Sequence, residues 1–510
     1  MTPTLTVDGR LTLEQVEAVA RGHGSQTVML GADARGRIAA ARAVVDQAVR
    51  EQRVVYGITT GFGALAEVVV PSERLLELQV NLIRSHAAGV GEPLDEVETR
   101  AIMLLRASTL ARGHSGVRPE LVELLLECLN HGIHPIIPSL GSVGASGDLA
   151  PLSHLALVLI GEGGAVLAGE RMSGAAALAR CGLRAVVLQA KEGLALNNGT
   201  QMHTGIGILA LLRAERVLET LEVAGAMSLE GLRGTPDAFD AAIQALRPQP
   251  GQITSAARLR TLLAGSEIRE SHRENDPRVQ DAYSLRCMPQ VHGAARQALG
   301  FVRGVLETEA NSVTDNPLIF PEDGRILSGG NFHGQAGAQA LDLLAIAAAD
   351  LGSICERRIA RLVDPALSGL PAFLTPDPGV NSGLMMAQIV AAALVSELRL
   401  RAHPASSDSV PTDANKVDHV AMAVAAALKA RAAVALLETL AALELLTAAQ
   451  ALEFLKPLRP GRGVAVAHDL VRQRVPPLAQ DRVLAGDIAA LEALVRDGAL
   501  SDVWRSLEPA

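Results

Sequence analysis

Aromatic residues are scarce in this chain. Phenylalanine, tryptophan and tyrosine together make up 2% of 510 residues, with only two tyrosines and one tryptophan. The core must therefore be aliphatic, and each tyrosine calls for its own reason. Cysteine is sparse too: Cys128, Cys181, Cys287 and Cys355 are scattered with no CxxC pair. That excludes a disulfide framework and fits free thiols in a reducing compartment. There is no basic excess, since 46 Lys and Arg face 55 Asp and Glu for a net charge of −9. With no basic run either, nucleic acid is not an expected partner. The opening MTPTLTVDGRLTLEQV lacks the basic start and apolar run of a signal peptide. Lys429, Arg431, Glu438 and Glu444 interrupt the long apolar stretch after Asp418, so no membrane span is expected. A cytoplasmic address follows as the expectation.

What is abundant is helix-forming aliphatic sequence. Hydrophobic residues reach 49% and charged residues 20%, enough for a substantial core. Such a length holds roughly two to four average domains or one large helical architecture. Thr12 and Gln15 have the spacing of a capping box. No glycine or proline occurs from Asp413 to Lys456, which predicts one continuous helix of up to roughly 60 Å. Similar patterns cover about 207–223, 336–351, 353–363 and 386–402. Helices this apolar must bury several faces, so the fold class is mainly α, a bundle that also oligomerises. The first 200 residues differ, with short helical patterns between glycine-bearing polar loops. The expected division is a loop-rich region 1–205 and a helical bundle 206–510.

The loops carry the chemistry. Tyr56 opens YGITTGFG, and Tyr283 lies in DAYSLRCMPQ with Arg286 three residues on. One reading makes each an ordinary tyrosine whose hydroxyl finds a partner. The other makes a phenol a positioned base. YGITTGFG lacks the lysine and hydroxyl residue of a phosphate-binding P-loop. HGIH at 131–134 offers two histidines but no third ligand, so no metal site is expected.

The most unusual stretch is GSVGASGDLAPLSH, residues 141–154. Protein side chains include no good electrophile, and hard carbanion chemistry usually recruits a cofactor. An Ala-Ser-Gly tripeptide can make one. The glycine nitrogen attacks the carbonyl two residues back, and dehydration turns the serine into an exocyclic methylene. Glycine suits this because its nitrogen is unhindered and its backbone permissive.

This stretch resembles the signature of the histidine and phenylalanine ammonia-lyase family, whose 4-methylideneimidazole-5-one (MIO) group forms from Ala-Ser-Gly. YGITTGFG, NLIRSHAAGVGEPL, KEGLALNNGTQ, DAYSLRCMPQVHGA, NSVTDNPL, GGNFHGQ and DANKVDHV resemble family blocks in the same order, over about residues 56 to 420. The resemblance implies the ammonia-lyase fold, a homotetramer around a central bundle of long helices, active sites drawing residues from more than one subunit, and no external cofactor. It implies that Ala145, Ser146 and Gly147 form the ring and that Tyr56 is the acid-base residue. Asp148 would assist the dehydration or cap the following helix. Asn198, with Asn197 as its rival, would hold the ring oxygen or the substrate carboxylate. Arg286 would grip that carboxylate with paired hydrogen bonds. Gln280, Tyr283 and Phe332 resemble the remaining positions around the substrate, Tyr283 among the catalytic ones.

The same resemblance bears on the substrate. His86 in SHAAG, and KEGLAL, look like the histidine branch, whose reaction takes L-histidine to trans-urocanate. His86 has a plain alternative as a structural histidine at a helix start. In that branch the late motif reads Asn-Gln-Glu-Asp-His, with the glutamate facing the imidazole. Here Asn415 is followed by Lys416 and Val417, and Gln335 stands where glutamate is frequent. Valine can neither accept an imidazole N–H nor take a proton. A less polar pocket favours an aromatic or apolar side chain. The alternative is therefore a lyase or 2,3-aminomutase acting on another amino acid.

Overall fold

The computed structural model describes residues 4–22, 24, 26–276 and 278–507. Helices dominate, as the composition requires. The Thr12 hydroxyl accepts the Gln15 N–H while the Gln15 side chain accepts the Thr12 N–H, so the capping box forms. Four helices are long: Gln201–Gly231, Met288–Ala310, Gln335–Val363 and Ala423–Glu453. The patterns at 336–351 and 353–363 join into one of these, because Gly352 continues the helix. A β-carbon there would strike the Leu440 side chain at 3.0 Å, so close packing explains the glycine. By length and composition, Gln335–Val363 and Ala423–Glu453 are long enough to cross a membrane, which the charge argument had excluded. Their most apolar windows are 67% and 78% buried inside the fold, as core helices are.

The helix expected from Asp413 begins only at Ala423. The ten residues before it are not α-helical, Asp413–Asn415 forming only a single 3-10 turn, for a backbone reason. Asp413, Ala414 and Asn415 take positive φ of 50°, 51° and 65°, left-handed values that right-handed helix cannot continue through. Thr412 and Val417 then pair across this short turn.

The chain forms two compact units, each assembled from three segments. The first comprises Met1–Leu209, Arg303–Asp342 and Pro404–Leu428; the second comprises Ala210–Val302, Leu343–His403 and Lys429–Ala510. The first division point lies close to the expected boundary at 205, and the later segments return to the first unit.

Within the first unit, helix Glu96–Ala111 is the centre: every residue from Glu98 to Ala111 is buried. Its Arg100 is satisfied by three backbone carbonyls, Val19, Ala20 and Leu129. Small sheets edge this unit. Thr4–Val7 pairs in parallel with Thr27–Leu30, and His134–Pro135, Gly164–Leu167 and Glu170–Ser173 form an antiparallel three-stranded sheet. The second unit is helical, with a buried Arg358–Glu444 pair that also takes the Ser228 hydroxyl.

Candidate active site

The Ala-Ser-Gly loop runs into helix Leu149–Leu159 and is forced into a tight bend. Gly144 and Gly147 adopt φ of +68° and +70°, which glycine alone takes freely. A β-carbon on Gly147 would also collide with the Gly199 backbone, 2.6 Å from its nitrogen and carbonyl carbon. Neighbouring segments hold the bend by its carbonyls. Met422 N–H donates to Val143 O at 2.7 Å, and Gly334 N–H donates to Gly144 O at 2.9 Å. The Asn198 side-chain amide donates to Ser146 O at 2.7 Å. Among the described residues no hydrogen bond engages the Gly147 N–H.

Asp148 sits at the N-cap position of that helix, yet its side chain makes no capping bond. The capping alternative is therefore corrected. Its carboxylate instead accepts the Met202 and His203 N–H groups, the His203 imidazole and the Ser142 hydroxyl. Both Asp148 and His203 are fully buried. Burial alone would push the His203 pKa down, but the Asp148 charge outweighs it and the net direction is up. A buried ion pair thus fastens the residue after the bend to the start of helix Gln201–Gly231.

The two asparagines of LNNGT part company. Asn197 is fully buried and donates to the Ser153 hydroxyl, whereas Asn198 reaches the Ser146 carbonyl and lines the cavity. Asn198 is placed by buried polar groups. Arg106 donates to the Asn198 carbonyl and to the Gln201 side chain, and its burial pushes its pKa down to about 10. Lys191 pairs with Asp315 at 2.9 Å with both side chains fully buried. Glu192, equally buried, takes Arg118. Sequence reasoning had Lys191, Glu192 and Asp315 inside quoted blocks but gave them no role, and it passed over Arg106 and Arg118; charged residues flanking an apolar LAL were the available signal for the first two.

These elements enclose a cavity of about 670 Å³ in the first unit. Tyr56, His86, Ala145, Ser146, Gly147, Asn198, Phe332 and Val417 all line it, as does Asp413, which sequence reasoning missed. Among the described lining residues the titratable side chains are Tyr56, His86 and Asp413. The Tyr56 hydroxyl accepts the Gly63 N–H at 3.2 Å. His86 is the last residue of helix Leu75–His86, not at a helix start. Burial pushes its pKa down, against the Leu82 backbone hydrogen bond and the Asp413 charge. Its loop is tied to the signature stretch, because Gly89 N–H donates to the His154 imidazole at 3.1 Å. Gln335 lies outside the lining, its amide N–H directed to Ser406 O at 3.5 Å.

Gln280, Tyr283 and Arg286 are not brought to this cavity within the chain. They belong to the second unit, where the Arg286 guanidinium donates to the Gln280 side chain and lies 5.9 Å from the Tyr283 ring centre. Tyr283 is 75% exposed and neighbouring Val279 97%.

Comparison with known proteins shows the family. The model of the aromatic amino acid lyase family matches residues 11–473. A histidine ammonia-lyase of Anaeromyxobacter dehalogenans is 57% identical, over 98% of this chain and 99% of that one. The crystal structure of histidine ammonia-lyase from Trypanosoma cruzi is 44% identical, with 99% and 96% coverage and a TM-score of 0.92. A tyrosine aminomutase from Streptomyces globisporus is 39% identical, with 100% and 99% coverage and a TM-score of 0.93. An Ala-Ser-Gly bend facing a tyrosine-bearing cavity, on a fold shared from end to end with such enzymes, means that this chain belongs to the aromatic amino acid lyase family.

Proposed function

We propose that this protein is a histidine ammonia-lyase, eliminating ammonia from L-histidine to give trans-urocanate, with an MIO group made from Ala145, Ser146 and Gly147. The observation that carries the proposal is the Asn198 amide on the Ser146 carbonyl, in a bend that lines one cavity together with Tyr56. The tripeptide fits the group. Closure joins the Gly147 nitrogen to the Ala145 carbonyl carbon; that carbonyl's oxygen leaves as water with the two amide protons. Ser146 then loses its α-proton and hydroxyl as a second water. Among the described residues the Gly147 nitrogen makes no hydrogen bond, and the Ser146 oxygen that remains on the ring is the one Asn198 holds. When formed, the group supplies an electrophile that makes the substrate's amine a better leaving group.

The chain's own residues do the rest. Tyr56 is the residue to take the β-proton, its hydroxyl oxygen accepting the Gly63 N–H. His86, held toward its neutral form by burial, offers a polar partner to an imidazole, while Val417 and Phe332 give apolar wall. Gln280 and Tyr283, exposed in the second unit, and half-buried Arg286 are proposed to serve the site of another copy in a homotetramer, with Arg286 taking the substrate carboxylate. A cytoplasmic enzyme is consistent with the scattered free cysteines.

Relatives named histidine ammonia-lyase at 50–57% identity support histidine over the alternative substrates. The test is a substrate panel. Purified protein is given histidine, tyrosine, phenylalanine and their β-isomers, with ultraviolet absorbance and ammonia release followed. Urocanate from histidine is expected, and Ser146→Ala should abolish it while leaving a folded oligomer whose intact mass lacks the two-water deficit. Ammonia from another amino acid alone, or isomerisation to a β-amino acid, would overturn the assignment.

A further inference from the structure

Tyr56 sits at the base of a loop that folds back on itself. Thr60 pairs with Val69, with Gly61 N–H bonded to Val68 O and Val70 N–H to Thr59 O. At its tip, Gly63–Leu65 makes one 3-10 turn. The first amides of such a turn have no partner inside it. Here each finds one outside: Gly63 N–H goes to the Tyr56 hydroxyl, and Ala64 N–H goes to the Asp413 carboxylate at 3.1 and 3.3 Å. Among the described residues, this is the hydrogen bond that ties the tip, residues 62–67, to a distant part of the chain. Apolar side chains there are left to solvent, with Leu65 64% exposed.

The fit between the two segments is close. A β-carbon on Gly63 would stand 2.8 Å from the Asp413 Cγ. Asp413 is presented by an unusual backbone, the three left-handed residues Asp413 to Asn415 inside the turn that Thr412 and Val417 close. Strain of this kind persists where surroundings over-determine it, and it marks places where a side chain must be aimed. We propose that Asp413 is a positioning residue: its carboxylate latches the Gly63–Ala64 turn, and the turn holds the Tyr56 hydroxyl in place for proton transfer.

This inference rests on the acid-base role proposed for Tyr56, but its test has an arm that needs no substrate. Hydrogen exchange is followed by mass spectrometry in the peptide spanning residues 57–70, for wild type, Asp413→Ala and Asp413→Asn. Asparagine tolerates left-handed backbone and keeps an acceptor oxygen for Ala64. Faster exchange in Asp413→Ala and near-normal exchange in Asp413→Asn are expected. Turnover should follow the same order. Asp413→Ala should lose kcat by about tenfold or more, the worth of one hydrogen bond to a charged group, with KM little changed and the two-water mass deficit intact. Asp413→Asn should recover most of it. Unchanged exchange in Asp413→Ala would overturn the latch, whatever the substrate proves to be. So would a loss confined to KM, or an Asp413→Asn protein as impaired as Asp413→Ala.

Discussion

Replacing each asparagine of the LNNGT motif in turn separates a residue that serves the reaction from one that serves the fold. Asn198 is 4% exposed and its amide lies 2.7 Å from the Ser146 carbonyl oxygen. Truncated to alanine, it leaves that oxygen without its preorganised donor. A preorganised donor on an oxygen that gathers charge is worth about 10²–10³ in kcat. The effect on stability should be small. The bond itself contributes about 1 kcal/mol net, and a side chain that borders the cavity leaves no closed void when it is truncated. Asn197 is the reverse case. It is fully buried, 3.1 Å from the Ser153 hydroxyl and outside the cavity lining. Asn197→Ala should lower the melting temperature, by a lost bond and a small void together worth about 1–3 kcal/mol, with kcat within a few-fold of wild type. The assay is initial-rate kinetics on both variants with calorimetric melting. Intact mass shows whether a loss falls on ring closure or on turnover. Normal turnover in Asn198→Ala, or an equal kcat loss in an Asn197→Ala protein of unchanged stability, would refute the reasoning.

Two further outcomes follow from the structure. Gly147→Ala puts a β-carbon against the Gly199 backbone at a φ of +70°; the left-handed strain alone is about 1–2 kcal/mol. The variant should melt lower and lack the two-water mass deficit, and a protein that shows the deficit would contradict the bend described. Glu230 is buried, and burial pushes its carboxyl up to about 7, against hydrogen bonds from Ser266 and the Gly461 N–H. The folded state therefore holds a proton between the ordinary value of 4.5 and about 7, so stability falls as pH rises through that window and levels off above it. Glu230→Gln should melt higher than wild type at pH 8, by an amount corresponding to about 3 kcal/mol, and should match it at pH 4. No gain at pH 8 would mean the carboxylate is well solvated.

The bend and most of its surroundings were legible in the sequence because the proposed ring closure dictates residue types. A small residue, a dehydratable one and an unhindered nitrogen have to be consecutive. Tyr56, His86, Asn198, Phe332 and Val417 were readable as blocks and converge on one cavity. Three things were not readable. Asp413 acts on Ala64 across 349 positions of sequence, and nothing local to either residue announces the other. The turn from Asp413 to Asn415 carries no glycine or proline, so composition predicted helix where the backbone is left-handed. Asp148 stands at a helix N-terminus, where aspartate usually caps, but buried His203 competes for it and wins.

That competition illustrates how the first unit uses charge. Lys191–Asp315, Asp148–His203 and Glu192–Arg118 each place a fully buried charge within a few residues of the bend or of Asn198. Such pairs are a poor way to gain stability, since desolvation offsets much of the attraction and an apolar replacement is frequently no worse. They are a good way to fix position, because breaking one leaves an uncompensated charge that no shifted arrangement can satisfy. A bend that must hold Gly147 against Gly199 and Ser146 O on Asn198 has little tolerance for displacement. The aliphatic core alone, with so few rings to interlock, would specify it weakly. The scarcity of aromatics and the density of buried ion pairs around one tripeptide are, on this argument, two sides of the same design problem.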